Sequence, residues 1–348
     1  MDQPLLIFEI KMINHKTTPE FKGIYQSTDQ PWRLSVAPML DVTDRHCRFF
    51  HRLLAPKALL YTEMITTGAL IYGDVARHLQ FNDSEHPVAL QLGGSERDAL
   101  VHCAKLGEQW GYDEINLNCG CPSERVQRGA FGACLMAEAD LVADCIKAMQ
   151  DAVDIPVTVK HRLGLDYDDS YAFVHDFVAK LYEIGCRVFV THARNAVLKG
   201  LSPKDNREIP PLRYEVVAQL KKDFPEAIFV LNGGIHQVEQ SRELLSQFDG
   251  IMLGRVAWHE PYILREVSQL IWPDKPTATN QQICETMISY AQNMTTQGVP
   301  LRAVVKPLLG LMNGQQGAKI FRRTLSDVQR LNANDISLIE EAFRPFLK

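Results

Sequence analysis

The chain has 348 residues, of which 46% are hydrophobic and 23% are charged, and its formal net charge is −5. This is ordinary globular composition, and the acidic balance argues against a protein that coats nucleic acid while permitting a local basic surface. The chain has no run of about 18 apolar residues to span a membrane, and the N-terminus, with Asp2, makes a poor signal peptide, so we expect a cytoplasmic protein.

Residues 1–32 show little periodicity, and we predict a poorly ordered lead-in. Eight short apolar runs follow along the chain. They are LSVAPML (34–40), LLYTEM (59–64), VALQLGG (88–94), INLNCG (115–120), VTVKHRLG (157–164), VFVTHAR (188–194), IFVLNGG (228–234) and GIMLGR (250–255). Most are continuous in Val, Ile and Leu, which is typical of parallel strands buried on both faces.

Helical segments lie between these runs, for example at 137–152 and 170–183. Eight strand–helix units in roughly 230 residues predict an α/β fold, a (β/α)8 TIM barrel, over residues 33–272. A doubly wound sheet is the alternative. The number of strands disfavours it, as does the lack of a G-x-G-x-x-G pattern after the first strand.

Residues 273–348 form the second predicted domain, a small C-terminal helical bundle that follows a linker with two prolines at 273–279. The charged residues between Val299 and Arg330 are mainly basic. They are Arg302, Lys306, Lys319, Arg322, Arg323 and Arg330, against one acid, Asp327. We interpret this charge as a contact surface for a phosphate backbone, and a solvated helix face is the alternative.

Polar residues and glycines follow the predicted strands at their carboxyl ends, where a (β/α)8 barrel carries its active site. In strand order they are Pro38 and Met39, Glu63, Gln91, Asn118 and Cys121, Lys160 and Arg162, His192 and Arg194, Asn232–Gly234, and Gly254–Arg255. One such residue is explained as a satisfied polar group of the core. So many at one end of a barrel indicate a ligand site.

The residues after the last two predicted strands suit a phosphate group. Glycines let backbone N–H groups approach an anion, and the N-terminus of a short helix adds its dipole. Two tight turns are the alternative explanation. With Gln91 and Lys160, the pattern fits FMN. Its phosphate would lie on Gly234 and Gly254–Arg255, its ring amide edge would meet Gln91, and Lys160 would stabilise charge near N1.

Two cysteines lie close together in INLNCGCP, residues 115–122. Eight cysteines in so long a chain do not indicate a disulfide scaffold, so we expect reduced thiols. A zinc site is disfavoured because the Cys119–Cys121 spacing is too short and no second Cys/His pair follows at finger spacing. We therefore predict no metal, and we weigh a metal knuckle, a disulfide and one reactive thiol against each other.

The segment LNCGCPSERVQRGAFGACLM, residues 117–136, resembles the signature of tRNA-dihydrouridine synthases. Asn118, the Gly120–Pro122 triplet and Gly132 fall at that family's spacing. The resemblance also covers VAPMLDVTD, QLGG, VKHRLG, THARNA and NGGI, and it continues into the helical tail. Segment 191–212 resembles the A-type bacterial subfamily in particular.

This resemblance implies an FMN flavoprotein that takes hydride from NADPH and reduces the C5–C6 double bond of uridine in tRNA, at positions 20 and 20a of the D loop. The implied proton donor is Cys121, and we expect a monomer. The implied FMN contacts are Pro38, Met39, Leu40, Gln91, Lys160, His192, Asn232, Gly233, Gly234, Gly254 and Arg255. The implied substrate and tRNA contacts are Asn118, Arg162, His192, Lys204, Asp205, Arg322 and Arg323.

The implied chemistry is consistent with a cysteine. Hydride addition at uracil C6 leaves negative charge at C5, which needs a proton from the opposite face. A free cysteine has a pKa of about 8.5 and is mainly a protonated thiol at neutral pH, so it can donate without activation. The uridine must be everted from its stack to reach a barrel. We interpret Cys119 as a buried packing residue.

Two other functions remain as alternatives. A small-molecule FMN oxidoreductase of the dihydroorotate dehydrogenase kind would share the barrel, the phosphate site and the lysine, but it leaves the basic tail unexplained. An inactive RNA-binding module built on a barrel would contain no flavin. A yellow purified protein would exclude this last possibility.

Overall fold

The computed structural model describes residues 30–123, 126–127 and 129–347. Most of the predicted lead-in, residues 1–29, lies outside this range. At its end, Pro31–Arg33 form a 3-10 turn in which the Trp32 side chain is buried. The residues from Pro31 onward form one compact unit that contains both predicted domains. The division between 33–272 and 273–348 stays a prediction.

Parallel strands form the centre of this unit. In the described residues they are β1 (Leu34–Val36), β2 (Leu59–Tyr61), β3 (Ile65–Thr66), β4 (Val88–Gly93), β5 (Glu114–Cys119), β6 (Val157–His161), β7 (Val188–His192), β8 (Ile228–Asn232) and β9 (Gly250–Leu253). The strand order is β2-β1-β9-β8-β7-β6-β5-β4-β3, and β2 also pairs with β4. This pairing closes eight strands into a barrel, and β3 extends one side of it. The predicted TIM barrel is confirmed, and the doubly wound alternative is wrong.

Helices surround the barrel and form the tail. The barrel helices are α1 (Arg45–Leu54), α2 (Thr67–Tyr72), α3 (Val75–Leu79), α4 (Arg97–Gln109), α5 (Ala139–Gln150), α6 (Tyr171–Glu183), α7 (Tyr214–Asp223), α8 (Val238–Gln247), α9 (Arg255–His259) and α10 (Tyr262–Ile271). The tail helices are α11 (Asn280–Thr296), α12 (Leu301–Val305), α13 (Ala318–Leu325), α14 (Val328–Asn332) and α15 (Ser337–Phe343). The predicted helical C-terminal region is confirmed. None of the helices described is long and apolar enough to cross a membrane.

Local sequence signals explain where several elements start and stop. Every residue of β4 and β5 is buried; β4 is apolar apart from Gln91, whereas β5 alternates polar with apolar residues. Ser170 caps α6 by accepting a hydrogen bond from Phe173 N at 3.2 Å. Gly111 follows α4 with φ +90°, a conformation that glycine adopts without steric cost. The carboxyl ends of the strands open at one end of the barrel, here called the mouth, and their amino ends form the floor.

The tail docks on the barrel through Tyr290 of α11. Its hydroxyl lies 2.7 Å from His46 Nδ1 on α1 and 3.4 Å from Asn82 Nδ2. Its ring stacks on Phe49, with 3.8 Å between ring centroids. Burial lowers the pKa of His46 to about 4, so this imidazole is neutral. The contact therefore combines aromatic packing with hydrogen bonds between neutral groups.

We expect Tyr290→Phe to lower the free energy of unfolding by about 1–3 kcal/mol, because it leaves a buried imidazole nitrogen without its partner. Urea unfolding followed by circular dichroism measures this change. Tyr72→Phe is the matched control, since that side chain is 89% exposed. Equal stability of the two variants would show that the hydroxyl contributes nothing to docking.

Candidate active site

Lys160 and Asn232 meet inside the mouth from β6 and β8. Lys160 Nζ donates to Asn232 Oδ1 at 3.1 Å, and Asn232 Nδ2 donates to Met252 O at 2.9 Å. Burial and the neighbouring charge of Arg162 lower the pKa of Lys160 to about 7. Burial and, as the second-largest effect, the positive charge of Arg162 also hold the pKa of His192 well below its usual value, so the imidazole is neutral. An anion placed beside Lys160 would favour its charged form.

The turn after β8 requires glycine at two successive positions. Gly233 has φ +113° and Gly234 has φ +69°, a region that other residues rarely adopt. A Cβ atom on Gly233 would lie 2.7 Å from His192 Cδ2, and one on Gly234 would lie 2.3 Å from Leu212 Cδ1. Gly254 instead faces open space, because a Cβ there would meet no atom of the described residues within 4 Å. Gly233 is buried, whereas Gly234 is exposed and Gly254 is half-buried, so the backbone of the last two is accessible to a bulky anion.

Two arginines stand near this turn. Arg255, the first residue of α9, pairs with Glu208 at 2.6 Å, and both side chains are 46% exposed. Arg194 donates through Nη1 to the backbone oxygens of Glu208 and Pro210, while its buried Nε has no hydrogen-bond partner among the described residues. A buried donor without a partner is rare and suits a site that receives an anion. The glycine turns and these cations together fit the phosphate of FMN.

The loop after β1 carries Pro38, Met39 and Leu40, and it is held from both sides. Asp41 has φ +60°; its backbone N–H donates to Glu63 Oε1, and its carbonyl accepts from Lys306 Nζ of the tail at 2.7 Å. Leu40 is 67% exposed at the tip. A tail residue thus helps to shape the loop that is predicted to contact the flavin.

The exit of β5 separates the two close cysteines. Cys119 is fully buried in the core, as expected, and burial raises its pKa well above the usual value. Cys121 is partly exposed; its Sγ lies 3.6 Å from Ser123 Oγ, and its backbone N–H donates to Asn118 Oδ1 at 3.0 Å. All eight cysteines are free, and no group of three metal-ligating side chains converges in the described residues. The disulfide alternative is therefore wrong.

Arg162 follows β6 beside the Cys121 segment and is 3% exposed. Its Nε donates to Gly120 O at 3.1 Å, and its Nη1 donates to Asn195 O at 3.1 Å and Asn206 O at 2.8 Å. The guanidinium therefore connects the Cys121 segment with the loop that follows β7. Its predicted approach to the uracil stays a prediction.

The loop after β7 is organised around the buried side chain of Asn206. Its Oδ1 accepts from Val197 N at 2.7 Å, and its Nδ2 donates to Val197 O at 2.8 Å. Lys204 is exposed beside it, while the Asp205 carboxylate accepts from Ser202 Oγ at 2.7 Å. The loop can therefore present Lys204 outward without losing its own shape.

The basic residues of the tail divide into two groups. Arg330 pairs with Asp335 at 2.7 Å and Glu341 at 2.8 Å, so it stabilises the bundle. Arg322 and Arg323 are exposed on α13, and Arg322 Nη1 donates to Asn313 Oδ1 at 3.0 Å. Lys319 is exposed on α13 as well, so three exposed cations lie on this helix. Arg302 and Lys306 are also exposed but donate to Asn332 Oδ1 and Asp41 O.

Comparison with known families identifies the chain. The family described as dihydrouridine synthase matches residues 35–346. The chain belongs to the dihydrouridine synthase family. The resemblance of segment 117–136 is thereby confirmed, and the match covers both the barrel and the helical tail.

Curated relatives within the dihydrouridine synthase family match over most of their length. The tRNA-dihydrouridine(20/20a) synthase of Yersinia pestis is 54% identical over 312 residues, which cover 89% of this chain and 90% of the relative. The protein of the same name from Pseudomonas syringae pv. tomato is 54% identical, with coverage of 89% and 93%. That from Synechocystis sp. is 52% identical, with the same coverage of 89% and 93%.

A solved structure supports the fold of this dihydrouridine synthase family member. The old yellow enzyme homologue from Zymomonas mobilis superposes with a TM-score of 0.50, and it covers 71% of this chain and 90% of its own. The two sequences are only 12% identical, so the likeness concerns the barrel alone.

Some residues that shape the site in this dihydrouridine synthase family member were not singled out from the sequence. Tyr214 OH donates to Gly233 O at 2.6 Å and so supports the glycine turn. Gln127 Nε2 donates to Pro122 O at 2.8 Å and Leu198 O at 3.0 Å, which adds a second connection between the Cys121 segment and the loop after β7. Gln127 lies inside the signature segment, but nothing in the spacing marks its partners.

Proposed function

We propose that the protein is a flavin-dependent tRNA-dihydrouridine synthase that reduces uridines at positions 20 and 20a of the tRNA D loop in the cytoplasm, with NADPH as the reductant. The names of the curated relatives at 52–54% identity support the substrate and the positions. The single observation that carries the proposal is one mouth with both an accessible thiol and a phosphate-type turn. Lys160 lies opposite Asn118 in the register of β6 against β5, and Asn118 holds the Cys121 backbone.

The chain's own residues would hold FMN at the mouth. Gly233, Gly234 and Gly254–Arg255 would receive the phosphate, because Gly234 is exposed in the glycine turn and Arg255 supplies an exposed cation. Pro38, Met39, Leu40, Gln91, Lys160, His192 and Asn232 would surround the ring. When bound and reduced, FMN supplies the hydride for uracil C6, and Lys160 would stabilise negative charge on the ring.

Cys121 would deliver the proton to uracil C5. Its thiol is partly exposed, and its backbone is held by Asn118. After transfer, the thiolate would recover a proton from solvent, which closes the proton balance of the reduction. Asn118 and Arg162 would orient the base, since both side chains lie beside the Cys121 segment.

The loop after β7 and the tail would bind the folded tRNA, on which a monomer suffices to act. Lys204 and Asp205 lie on that loop, and Arg322 and Arg323 lie on α13. Lysine and arginine bind phosphates irrespective of sequence, so recognition would depend on the shape of the RNA. The target uridine must leave its stack to reach the mouth.

The deciding experiment compares tRNA from a deletion strain and its parent by nucleoside mass spectrometry mapped to position. Loss of dihydrouridine at positions 20 and 20a supports the proposal, and unchanged tRNA refutes it. Purified protein should be yellow and should oxidise NADPH in the presence of unmodified tRNA. Turnover with free pyrimidines instead of tRNA would favour the small-molecule oxidoreductase.

Substitution of Arg322 and Arg323 by Glu should weaken tRNA binding by roughly tenfold or more. The slope of log affinity against log salt concentration should become shallower by about two units, because fewer counterions are released on binding. Filter binding at several salt concentrations measures both effects, and flavin reduction by NADPH should stay unchanged.

The matched control reverses Lys105 and Lys222, which are exposed on the barrel helices α4 and α7 and change the net charge equally. If both double variants bind tRNA alike, the basic face of α13 is only a solvated surface.

A further inference from the structure

A line of buried side chains runs through the barrel from floor to mouth. Asn118 Nδ2 donates to Gln91 Oε1 at 2.9 Å, and Gln91 Nε2 donates to Asn116 Oδ1 at 2.8 Å. Asn116 Nδ2 donates to Thr158 Oγ1 at 2.8 Å, and Thr158 Oγ1 donates to Glu114 Oε1 at 2.6 Å. Each of the five is at most 8% exposed. These five side chains are called the polar chain below.

The backbone at the mouth fixes the direction of the polar chain at its upper end. Gly120 N and Cys121 N both donate to Asn118 Oδ1, at 3.2 and 3.0 Å. A backbone N–H can only donate, so the Asn118 oxygen must face the mouth and its NH2 group must face Gln91. Gln91 is then forced to accept on that side.

The floor imposes the same direction independently. Glu114 accepts from Trp32 Nε1 and Tyr61 OH, each at 2.6 Å, in addition to Thr158. Burial raises the pKa of Glu114, and the hydrogen bonds from Thr158, Tyr61 and Trp32 oppose this shift. The indole N–H can only donate, and both hydroxyls donate to the other carboxyl oxygen, so the Glu114 side chain is the acceptor at the floor. Every amide in between therefore directs its NH2 group toward Glu114. In the low dielectric of the core, it is costly for two donors or two acceptors to face each other. The side chains must therefore all point the same way, and the whole polar chain behaves as one unit.

We propose that Glu114 is a positioning residue for the active site: its carboxylate at the floor sets the direction of the polar chain and thereby orients the Asn118 amide that holds the Cys121 backbone. Glu114 and Asn118 lie on the same strand about 13 Å apart, at roughly 3.3 Å per residue. The direction of the polar chain also decides which end of the Gln91 amide faces the predicted flavin site.

Glu114→Gln should reverse the direction of the hydrogen bonds in the polar chain, starting at the floor of the barrel. Trp32 would hold the new amide oxygen, so the new NH2 group would face the hydroxyls of Tyr61 and Thr158, which can both accept. The Thr158 hydroxyl would then donate upward, against the direction that the backbone imposes on Asn118. One donor would be left without an acceptor. Asn118→Asp creates the opposite conflict, because both ends of the polar chain then accept.

The test is a double-mutant cycle on thermal unfolding of the flavin-saturated protein. Each single variant should lower Tm by roughly 3–6 °C, the shift of one mismatched buried pair. Glu114→Gln with Asn118→Asp should have a Tm no lower than either single variant, because a reversed chain then satisfies both ends. Residues more than about 7–10 Å apart normally contribute additively. Additive losses would overturn the proposal.

Thr158 provides a second double-mutant cycle with Asn118→Asp. Substitution of Thr158 changes no charge, so a difference between two such backgrounds cannot come from direct repulsion between two carboxylates. Thr158→Val interrupts the polar chain, so Asn118→Asp should lower Tm less in that background than in the wild type. Thr158→Ser keeps the hydroxyl and should leave the cost of Asn118→Asp unchanged. Equal costs in the Val and Ser backgrounds would also overturn the proposal.

A kinetic readout separates positioning from stability, and it rests on the proposed function. Glu114→Gln should slow single-turnover uridine reduction by roughly 10- to 100-fold through a displaced Cys121 segment, with flavin reduction by NADPH unchanged. Tyr61→Phe removes a donor to the same carboxylate outside the polar chain, and its rate should stay within about twofold of wild type. Equal slowing in both variants would contradict positioning. If wild-type protein reduces no uridine, the proposed function fails and the Tm cycles still decide the role of Glu114.

Discussion

Replacement of Cys121 by alanine should reduce the rate of uridine reduction by roughly 10²–10⁴-fold, the usual contribution of a positioned proton donor. FMN binding, flavin reduction by NADPH and tRNA binding should persist, because among the described residues the thiol makes a hydrogen bond only with Ser123 Oγ, at 3.6 Å. Single-turnover oxidation of pre-reduced protein by tRNA measures the affected step directly.

Cys119→Ala is the matched control, since it removes the same atom two positions earlier. Cys119 is fully buried in the core, so this variant should lose about 1 kcal/mol of stability and retain its rate. Slow reduction by Cys119→Ala, or normal reduction by Cys121→Ala, would show that the roles assigned to the two thiols are wrong. Equal damage from both would instead indicate a shared site.

Gly233→Val should weaken FMN binding by roughly 100-fold, or about 2–3 kcal/mol. The variant places a β-branched residue at φ +113°, and its Cβ would lie 2.7 Å from His192 Cδ2. The side chain would also cover backbone that is proposed to receive the phosphate. Fluorescence titration of the apoprotein with FMN measures the affinity.

Gly68→Val provides the control for this experiment. Gly68 lies in α2, and a Cβ there would meet no atom within 4 Å. Its flavin affinity should equal that of the wild type. Normal flavin binding by Gly233→Val, with an unchanged circular dichroism spectrum, would contradict the placement of the phosphate at this turn.

The architecture of the barrel is accessible from the sequence because it depends on residues that are close along the chain. Parallel strands buried on both faces are typically continuous in apolar residues, as β8 and β9 are until the end of the strand, whereas β5 is fully buried and yet alternates polar with apolar residues. The closed barrel then places the carboxyl ends of all strands together. For this reason Lys160 of β6 and Asn232 of β8 could be assigned to one site before their contact was known.

The partners of the polar side chains could not be predicted in this way, because they come from strands far apart in sequence. Gln91 and Asn116 are separated by 25 positions, and Trp32 and Glu114 by 82. Their pairing depends on the lateral register of strands and on which group donates, and neither leaves a periodic signal in the chain. The same holds for the Lys306 contact with Asp41, which spans 265 positions.

The sequence by itself therefore determined the barrel, the helical tail and the family, since each follows from local pattern or motif. The tertiary structure alone decided what holds the Cys121 segment, whose backbone N–H donates to Asn118 Oδ1. It also decided that Arg162 joins two loops and that Glu114 ends a hydrogen-bonded line to the mouth. The physical reason is that a hydrogen bond depends on distance and direction in space, which only the closed packing of the strands defines.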